Sequence, residues 1–455
     1  MELTGDSGIK AQEKEGLAFD VTHRLVLSIA VPMTLGFVTT PLLGVTDTAV
    51  VGRTGDAAAL AGLAIGAVLF DLLFGSLNFL RASTTALVAQ AFGRRDEHEQ
   101  QAVFWRSFVL ALAFGIIVVL ASPLLLTAGL KLMGPEGRVA EATATYFSIR
   151  ILAGPFSLLN FTLLGFILGR GRGGTGLFLQ ALLNGTNIIL SIYLGLILDW
   201  GISGVAWGTA VGEGLAAVVG LAIVMRSFDK SKSPRLAEIF ARHQLVALIA
   251  INRDLLVRTF VLLGAFTLLT RIGTGFGPEV LAANAVLMNF FMVASFYLDG
   301  MANAAEQITG RAIGAGHRPA FERAVKLTAI WSFGLATVTA IVFLAAGHSA
   351  IAVLTTAENV RALAGEFLPW AALTSVTGAL AFQMDGVFIG STWSREMRNM
   401  MLAAFAGYLL ALAVLVPALG NHGLWLALNV FLALRGLFLL ALLPRKLDQT
   451  FAAAQ

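Results

Sequence analysis

The chain of 455 residues contains no cysteine, which removes disulfides and thiolate metal centres from consideration. Charge is scarce too. Asp, Glu, Lys and Arg make up 13% of the residues, whereas a soluble globular domain carries about 25%. There are six histidines, and His98, His317, His348 and His422 fall in or near loops, without metal-ligand spacing to any acid. No phosphate loop of the Walker type is present, which argues against an ATP-driven pump. The glycine-rich run Gly169-Arg170-Gly171-Arg172-Gly173-Gly174 reads instead as a tight turn between two apolar stretches. No catalytic constellation stands out, so an enzyme is not expected. The start of the chain is mixed and charged (Glu2, Asp6, Lys10, Glu13, Lys14, Glu15) and lacks the basic-then-apolar pattern of a cleaved signal.

What the sequence has in abundance is hydrophobicity, at 57% of residues. A hydrocarbon core about 30 Å thick needs about 20 apolar residues per spanning helix, and stretches of that length recur from near Arg24 to near Pro444. They are continuous rather than alternating, and of the two structures that satisfy their backbone in lipid they fit helices rather than a barrel. The reading is an all-α polytopic membrane protein of about twelve spans. These fall at roughly 24–51, 58–89, 101–130, 141–168, 174–198, 202–225, 246–271, 280–310, 325–350, 365–391, 398–418 and 422–443. Lys and Arg crowd the connections on one side (Arg94, Arg95, Arg170, Arg172, Arg226, Lys230, Lys232, Arg235, Arg242, Arg311, Arg318, Arg323, Arg395, Arg398, Arg445, Lys446). The other side holds little more than Arg53, Lys131, Arg138 and Arg361. Basic loops stay cytoplasmic, so both termini are expected inside, in the inner membrane of a bacterial-type cell. The same asymmetry explains the net charge of +4 without nucleic acid.

The most specific signal is internal. An offset of 221 positions lays the first half on the second: Gly52 on Gly273, Leu60-Ala61 on Leu281-Ala282, Phe70 on Phe291, Gly93 on Gly314, and Gly165 and Gly169 on Gly386 and Gly390. One offset serving four successive helices is hard to obtain by chance. Six spans per half insert both halves the same way up, which implies a pseudo-two-fold axis along the membrane normal. Transporters so built bind substrate between the repeats and expose it by rocking. The expected organisation is a cytoplasmic tail (1–23), a six-helix lobe (24–225), a cytoplasmic linker (226–245), a second six-helix lobe (246–443) and a cytoplasmic tail (444–455).

An ionisable side chain at mid-bilayer costs ~2.5 kcal/mol or more and usually marks an ion or substrate path. The acids so placed are Asp47, Asp71, Glu213, Asp299, Glu306 and Asp385; the bases are Arg81, Arg150 and Arg258. Asp47 follows Pro32 and Pro41 in the first span, and proline bends a helix. Protonating a buried acid removes the penalty of holding its charge away from water, so proton uptake would bias such a bend. The bland reading caps the helix or pairs Asp47 with Arg53. Asp385 faces Leu164 in the repeat, so the shared scaffold does not require it. Asp71 and Glu213 either contact a cation or substrate or pair with Arg81 or Arg150. Arg258, whose repeat partner is Phe37, either binds an anionic group or locks Asp385 or Glu306. Asn184 and Asn187 lie midway along the fifth span, where interhelical packing is the commoner role.

These residues resemble the multidrug and toxic compound extrusion (MATE) family, in its DinF-like branch. Ala30-Val31-Pro32-Met33 and the run Pro41 to Arg53 (PLLGVTDTAVVGR) carry most of the resemblance. Ala58 to Leu63, Ala89-Gln90-Ala91-Phe92-Gly93 and Gly201 to Ala210 add to it. The resemblance covers nearly the whole chain. It implies a two-lobed exporter of organic cations and hydrophobic toxic compounds, driven by proton or sodium entry, with no bound cofactor. Asp47 matches the first-helix aspartate used for coupling and substrate release, Pro32 the proline where that helix bends, and Asp385 the tenth-helix acid of the NorM-like branch. The seventh span departs from that branch. Its sodium site includes a glutamate there, whereas this span carries Arg258 and Arg271, which favours protons over sodium. The expected partners are small amphipathic or cationic molecules and the lipid bilayer, with the protein a monomer. The alternatives are a flippase for lipid-linked precursors, kept open by Arg81, Arg150 and Arg258, and a membrane-embedded enzyme or receptor.

Overall fold

The structure, a computed structural model, describes residues 17–452. Among these, twelve helices are long and apolar enough to cross a membrane. They are α1 (His23–Arg53), α2 (Ala57–Gly93), α3 (Glu97–Leu120), α4 (Gly137–Gly169), α5 (Gly173–Ile197), α6 (Gly201–Arg226), α7 (Leu236–Phe276), α8 (Pro278–Gly314), α9 (Arg318–Leu354), α10 (Glu358–Gly390), α11 (Ser394–Leu419) and α12 (Asn421–Ala452). Their outward faces carry bare aliphatic side chains such as Leu120, Val218, Ile341 and Leu410, as lipid-facing positions require.

Several helices are shorter or longer than hydropathy alone implies, for local reasons. The third span was expected to run to residue 130, but α3 ends at Leu120. Pro123 starts a separate apolar helix, Ser122–Met133, which closes on Gly134 in the left-handed conformation. In α4, Arg150 is followed by one 3-10 turn, Ile151–Ala153, just before Pro155. Pro155 has no N–H to offer the Ile151 carbonyl, which accepts from the Gly154 N–H instead, the bond of a 3-10 turn. The expected tail after residue 443 is instead helix. α12 continues through Pro444 to Ala452 because Leu447 and Phe451 stay buried, Phe451 against the ring of Phe321. α1 runs through Pro32 and Pro41 as one helix.

The chain forms two compact units. One holds residues 17–34, 93–95 and 250–452, the other 35–92 and 96–249. These boundaries differ from the expected ones in two places. The first turns of α1 belong with the C-terminal helices, because Gly300 of α8 lets Ala30 and Thr34 approach to where a Cβ would sit. The segment 226–245 belongs with the N-terminal helices. It is tied to α3 by Lys232 to Glu97 (2.7 Å), by Gln101 to the Asp229 carbonyl (3.0 Å) and by Arg106 to the Glu238 carbonyl (3.3 Å). What was expected as a plain linker is therefore docked.

Each unit has its own core. Phe290, Phe367, Tyr408, Trp425 and Phe431 centre the C-terminal one. In the N-terminal unit Phe70, Tyr146 and Phe147 form one cluster and Phe104, Phe166 and Ile167 another. The 221-residue repeat is visible in the packing itself. A Cβ on Gly165 would lie 2.6 Å from the Arg81 carbonyl oxygen, and one on Gly386 would lie 2.2 Å from the Ala302 carbonyl oxygen. A turn later, Gly169 meets the Thr85 carbonyl and Gly390 the Glu306 carbonyl. Arg81 and Ala302, and Thr85 and Glu306, are themselves separated by the repeat offset. In both halves the fourth helix crosses the second with backbone against backbone, a contact that only glycine permits.

Candidate functional site

The N-terminal unit encloses a cavity of about 490 Å³ walled by α1, α2, α4, α5 and α6. Its apolar side is aromatic, with Phe37, Phe70, Phe74 and Phe161. Its polar side carries Asp71, Arg81, Arg150, Ser157, Asn160 and Glu213, with Gln180 and Asn184 beside them. A few convergent polar groups in an aromatic cleft are the usual make-up of a small-molecule site.

Arg150 is the centre of the charge arrangement. Its Nη1 donates to the Tyr146 hydroxyl at 2.7 Å, and its guanidinium lies 4.5 Å from the centre of the Phe70 ring. Tyr146 reaches this position because Gly66 has no side chain; a Cβ there would stand 2.4 Å from the ring. Glu213, Asp47 and Asp71 all act electrostatically on this one guanidinium, yet none of them forms an ion pair with it. Glu213 instead accepts a hydrogen bond from Ser157, and Asp71 lines the cavity with no hydrogen-bonding partner among the described residues. The expected alternative in which Asp71 and Glu213 pair with Arg81 or Arg150 is therefore not what the structure contains. Counting Arg81 at the wall, the three carboxylates still outnumber the two guanidiniums.

Asp47 lies outside the cavity lining, 8% exposed, in a chain of polar groups contributed by α1, α5 and α6. The hydroxyl of Ser191 is 3.0 Å from Asp47 Oδ1 and 3.2 Å from Asn187 Oδ1, and Asn187 Nδ2 donates to Thr209 at 2.7 Å. Asn184, Asn187 and Ser191 share one face of α5 through spacings of three and four residues. A serine has one proton to give. With Asp47 ionised, that proton points at the carboxylate. With Asp47 protonated, the acid becomes the donor and Ser191 can turn to Asn187. The chain thus has a satisfied hydrogen-bond pattern for either protonation state. Asn184 donates to Thr39 at 2.6 Å and so links α5 to α1 on the cavity side.

The C-terminal unit arranges its buried charges differently. Asp385 Oδ2 accepts from Arg435 Nη2 at 2.6 Å and also from Arg258 Nη2. The side chains of Asp385 and Arg435 are 7% and 2% exposed. Arg258 and Arg435 thus meet on Asp385 and tie α7, α10 and α12 together. Phe37 and Leu164, the repeat partners of Arg258 and Asp385, are both walls of the N-terminal cavity. Where one half keeps an aromatic and a leucine around open space, the other holds an ion pair.

Sequence reasoning passed over Arg435, Ser157, Asn160 and Ser191. Arg435 had a findable signal, a lone base between the apolar runs Leu424–Leu434 and Leu437–Leu443. The serines and Asn160 had none, because short polar side chains are ordinary in membrane helices. Pro32 lies inside α1, two residues before the point where the chain passes from one compact unit to the other.

Comparison with known proteins adds the lineage. The MatE family model matches the chain twice, over residues 32–193 and 255–416, stretches whose starts are 223 residues apart, close to the repeat offset. DNA damage-inducible protein F of Escherichia coli K12 is 36% identical over 418 residues, covering 92% of this chain and 91% of that one. A solved structure described as the outward-facing conformation of a multidrug resistance MATE family transporter of the MOP superfamily superposes with a TM-score of 0.85 at 17% identity, covering 94% of this chain and 96% of that one. A MOP superfamily transporter from Pyrococcus furiosus, whose description speaks of a reversed polarity of its binding pocket, superposes with a TM-score of 0.85 at 16% identity, covering 96% of this chain and 98% of that one.

Proposed function

This chain belongs to the MatE family, and we propose that it is a secondary antiporter exporting organic cations and hydrophobic compounds in exchange for protons, by alternating access. The observation that carries the proposal is the asymmetry of buried charge. In the N-terminal unit three carboxylates act on Arg150 without an ion pair to it, beside an aromatic cavity. In the C-terminal unit Asp385 is already paired with two arginines, and the buried Asp254 is paired with Arg253 and Arg398. A proton or a cationic substrate relieves the excess negative charge in the first unit, and each makes the other less needed. That mutual exclusion is the thermodynamic core of antiport. Asp47 is the proton carrier in this reading, since Ser191 and Asn187 accommodate it in both protonation states, and Asp71 and Glu213 meet the substrate. Protons are favoured over sodium because the hydroxyl that meets Asp47 also reaches Asn187 and so serves the acid in either protonation state.

The experiment is export of a fluorescent organic cation from proteoliposomes under an imposed pH gradient. Asp47→Asn is expected to abolish the gradient-driven component while the protein still purifies as a folded species. Full export by that variant, or full export driven by a sodium gradient alone, would sink the proton reading.

A further inference from the structure

We propose that the docked segment 226–245 and the first turns of α7 form a binding site for an anionic phospholipid, with Lys230, Arg235 and Arg242 on its phosphate and Leu236 and Phe240 against its acyl chains. The inference does not depend on what the protein exports; it needs only that the helices span a membrane. α7 opens with a short helix, Leu236–Ile239, and its long run starts at Arg242. The inward side of this stretch is spent on docking. Ile239 is buried, Lys232 pairs with Glu97, and Glu238 meets His98 at 3.1 Å and the Arg235 backbone N–H at 2.8 Å. Asp229 accepts from the backbone N–H and the hydroxyl of Ser231. Both acids between Arg226 and Arg242 therefore have partners. Lys230, Arg235 and Arg242 make no ion pair among the described residues.

The outward side is cationic and apolar at once. Leu236 is 73% exposed and Phe240 55%, although each would gain from leaving water. Arg242, Val246 and Ile249 share one face of α7 through spacings of four and three residues. Val246 and Ile249 are bare aliphatics on a helix that crosses the membrane, so this face passes from apolar to basic within a turn. A spanning helix makes that change at the headgroup layer, where the anion at hand is lipid phosphate. Apolar side chains beside basic ones suit that layer, with the first entering the acyl region and the second staying among the phosphates. A soluble phosphate would leave Leu236 and Phe240 in water. The stretch lies just before the chain leaves the N-terminal unit, after Ile249, so a bound lipid adds to the contacts that hold it on α3. Each basic side chain near an anionic membrane surface strengthens binding about fivefold.

The chain has no native cysteine, so Ala237→Cys carries a single fluorescent label beside Leu236 and Phe240. The labelled full chain is placed in lipid nanodiscs containing increasing fractions of brominated phosphatidylglycerol or brominated phosphatidylcholine, whose bromines quench the label on contact. Phosphatidylglycerol is expected to quench at a several-fold lower fraction than phosphatidylcholine. Arg235→Gln combined with Arg242→Gln should reduce that preference by about tenfold or more, or to none. Leu236→Ser combined with Phe240→Ser should weaken quenching by both lipids. Arg94→Gln combined with Arg172→Gln removes the same charge from other loops and should leave the preference unchanged. All of these side chains are exposed, so the variants should fold. Four results would overturn the inference. Equal quenching by the two lipids would remove the selectivity. Equal loss in the Arg94 and Arg172 variant would reduce it to diffuse surface charge. Relief of quenching by inorganic phosphate would make the site one for a free anion. Absence of quenching by either lipid would place the face away from the bilayer.

Discussion

Replacing Asp385 by alanine separates a structural tie from a coupling group. In the native chain Arg435 is 2% exposed and donates to Asp385 Oδ2 at 2.6 Å, and Arg258, 19% exposed, donates to the same oxygen. Removing the carboxylate leaves two guanidiniums facing each other away from bulk water. Truncating one partner of a buried ion pair costs about 3–5 kcal/mol. The low end of that range, about 3 kcal/mol, is expected here, because Arg258 keeps some access to solvent and Asp299 still acts on Arg435. That is roughly a hundredfold in the folded-to-unfolded ratio. The assay is the fraction of monodisperse protein left after stepped heating in a mild detergent, where Asp385→Ala should lower the midpoint by several degrees. Replacing all three residues by apolar ones of similar size (Asp385→Leu with Arg258→Met and Arg435→Met) should recover most of the loss, since a buried ion network is often no more stable than well-packed apolar side chains. If Asp385→Ala kept native heat resistance and lost export, the tie would be refuted and Asp385 would rank with Asp47 as a coupling acid.

Two further expectations rest on geometry alone. Gly386→Ala drives a methyl to within 2.2 Å of the Ala302 carbonyl oxygen, whereas Gly44 has open space around it. The first should destabilise by about 1–3 kcal/mol through overpacking of two helix backbones, whereas Gly44→Ala should stabilise by up to about 1 kcal/mol through helix propensity, both read as the heating midpoint. Lys232→Ala breaks the exposed pair with Glu97 that helps dock the 226–245 segment, and should leave the midpoint unmoved, since exposed ion pairs contribute little.

The number of spans, their helical character and the repeat were legible in the sequence because each is a property of neighbours along the chain. Apolar runs of membrane length leave the backbone one way to satisfy itself. Gly165, Gly169, Gly386 and Gly390 announce a close crossing wherever it occurs, since no other residue fits between the two backbones. Which buried acid is free and which is spent was decided in three dimensions. Asp385 meets partners 127 and 50 residues away, on helices whose rotation no hydropathy window records. The same holds for Asp47, whose answering hydroxyl is 144 residues distant on α5, and for Asp71 and Arg150, unlike charges brought to one cavity without touching. A sequence states how costly each buried charge is; only the packing of helices against one another determines where that cost is met, because electrostatic partners are chosen by distance in space and not along the chain.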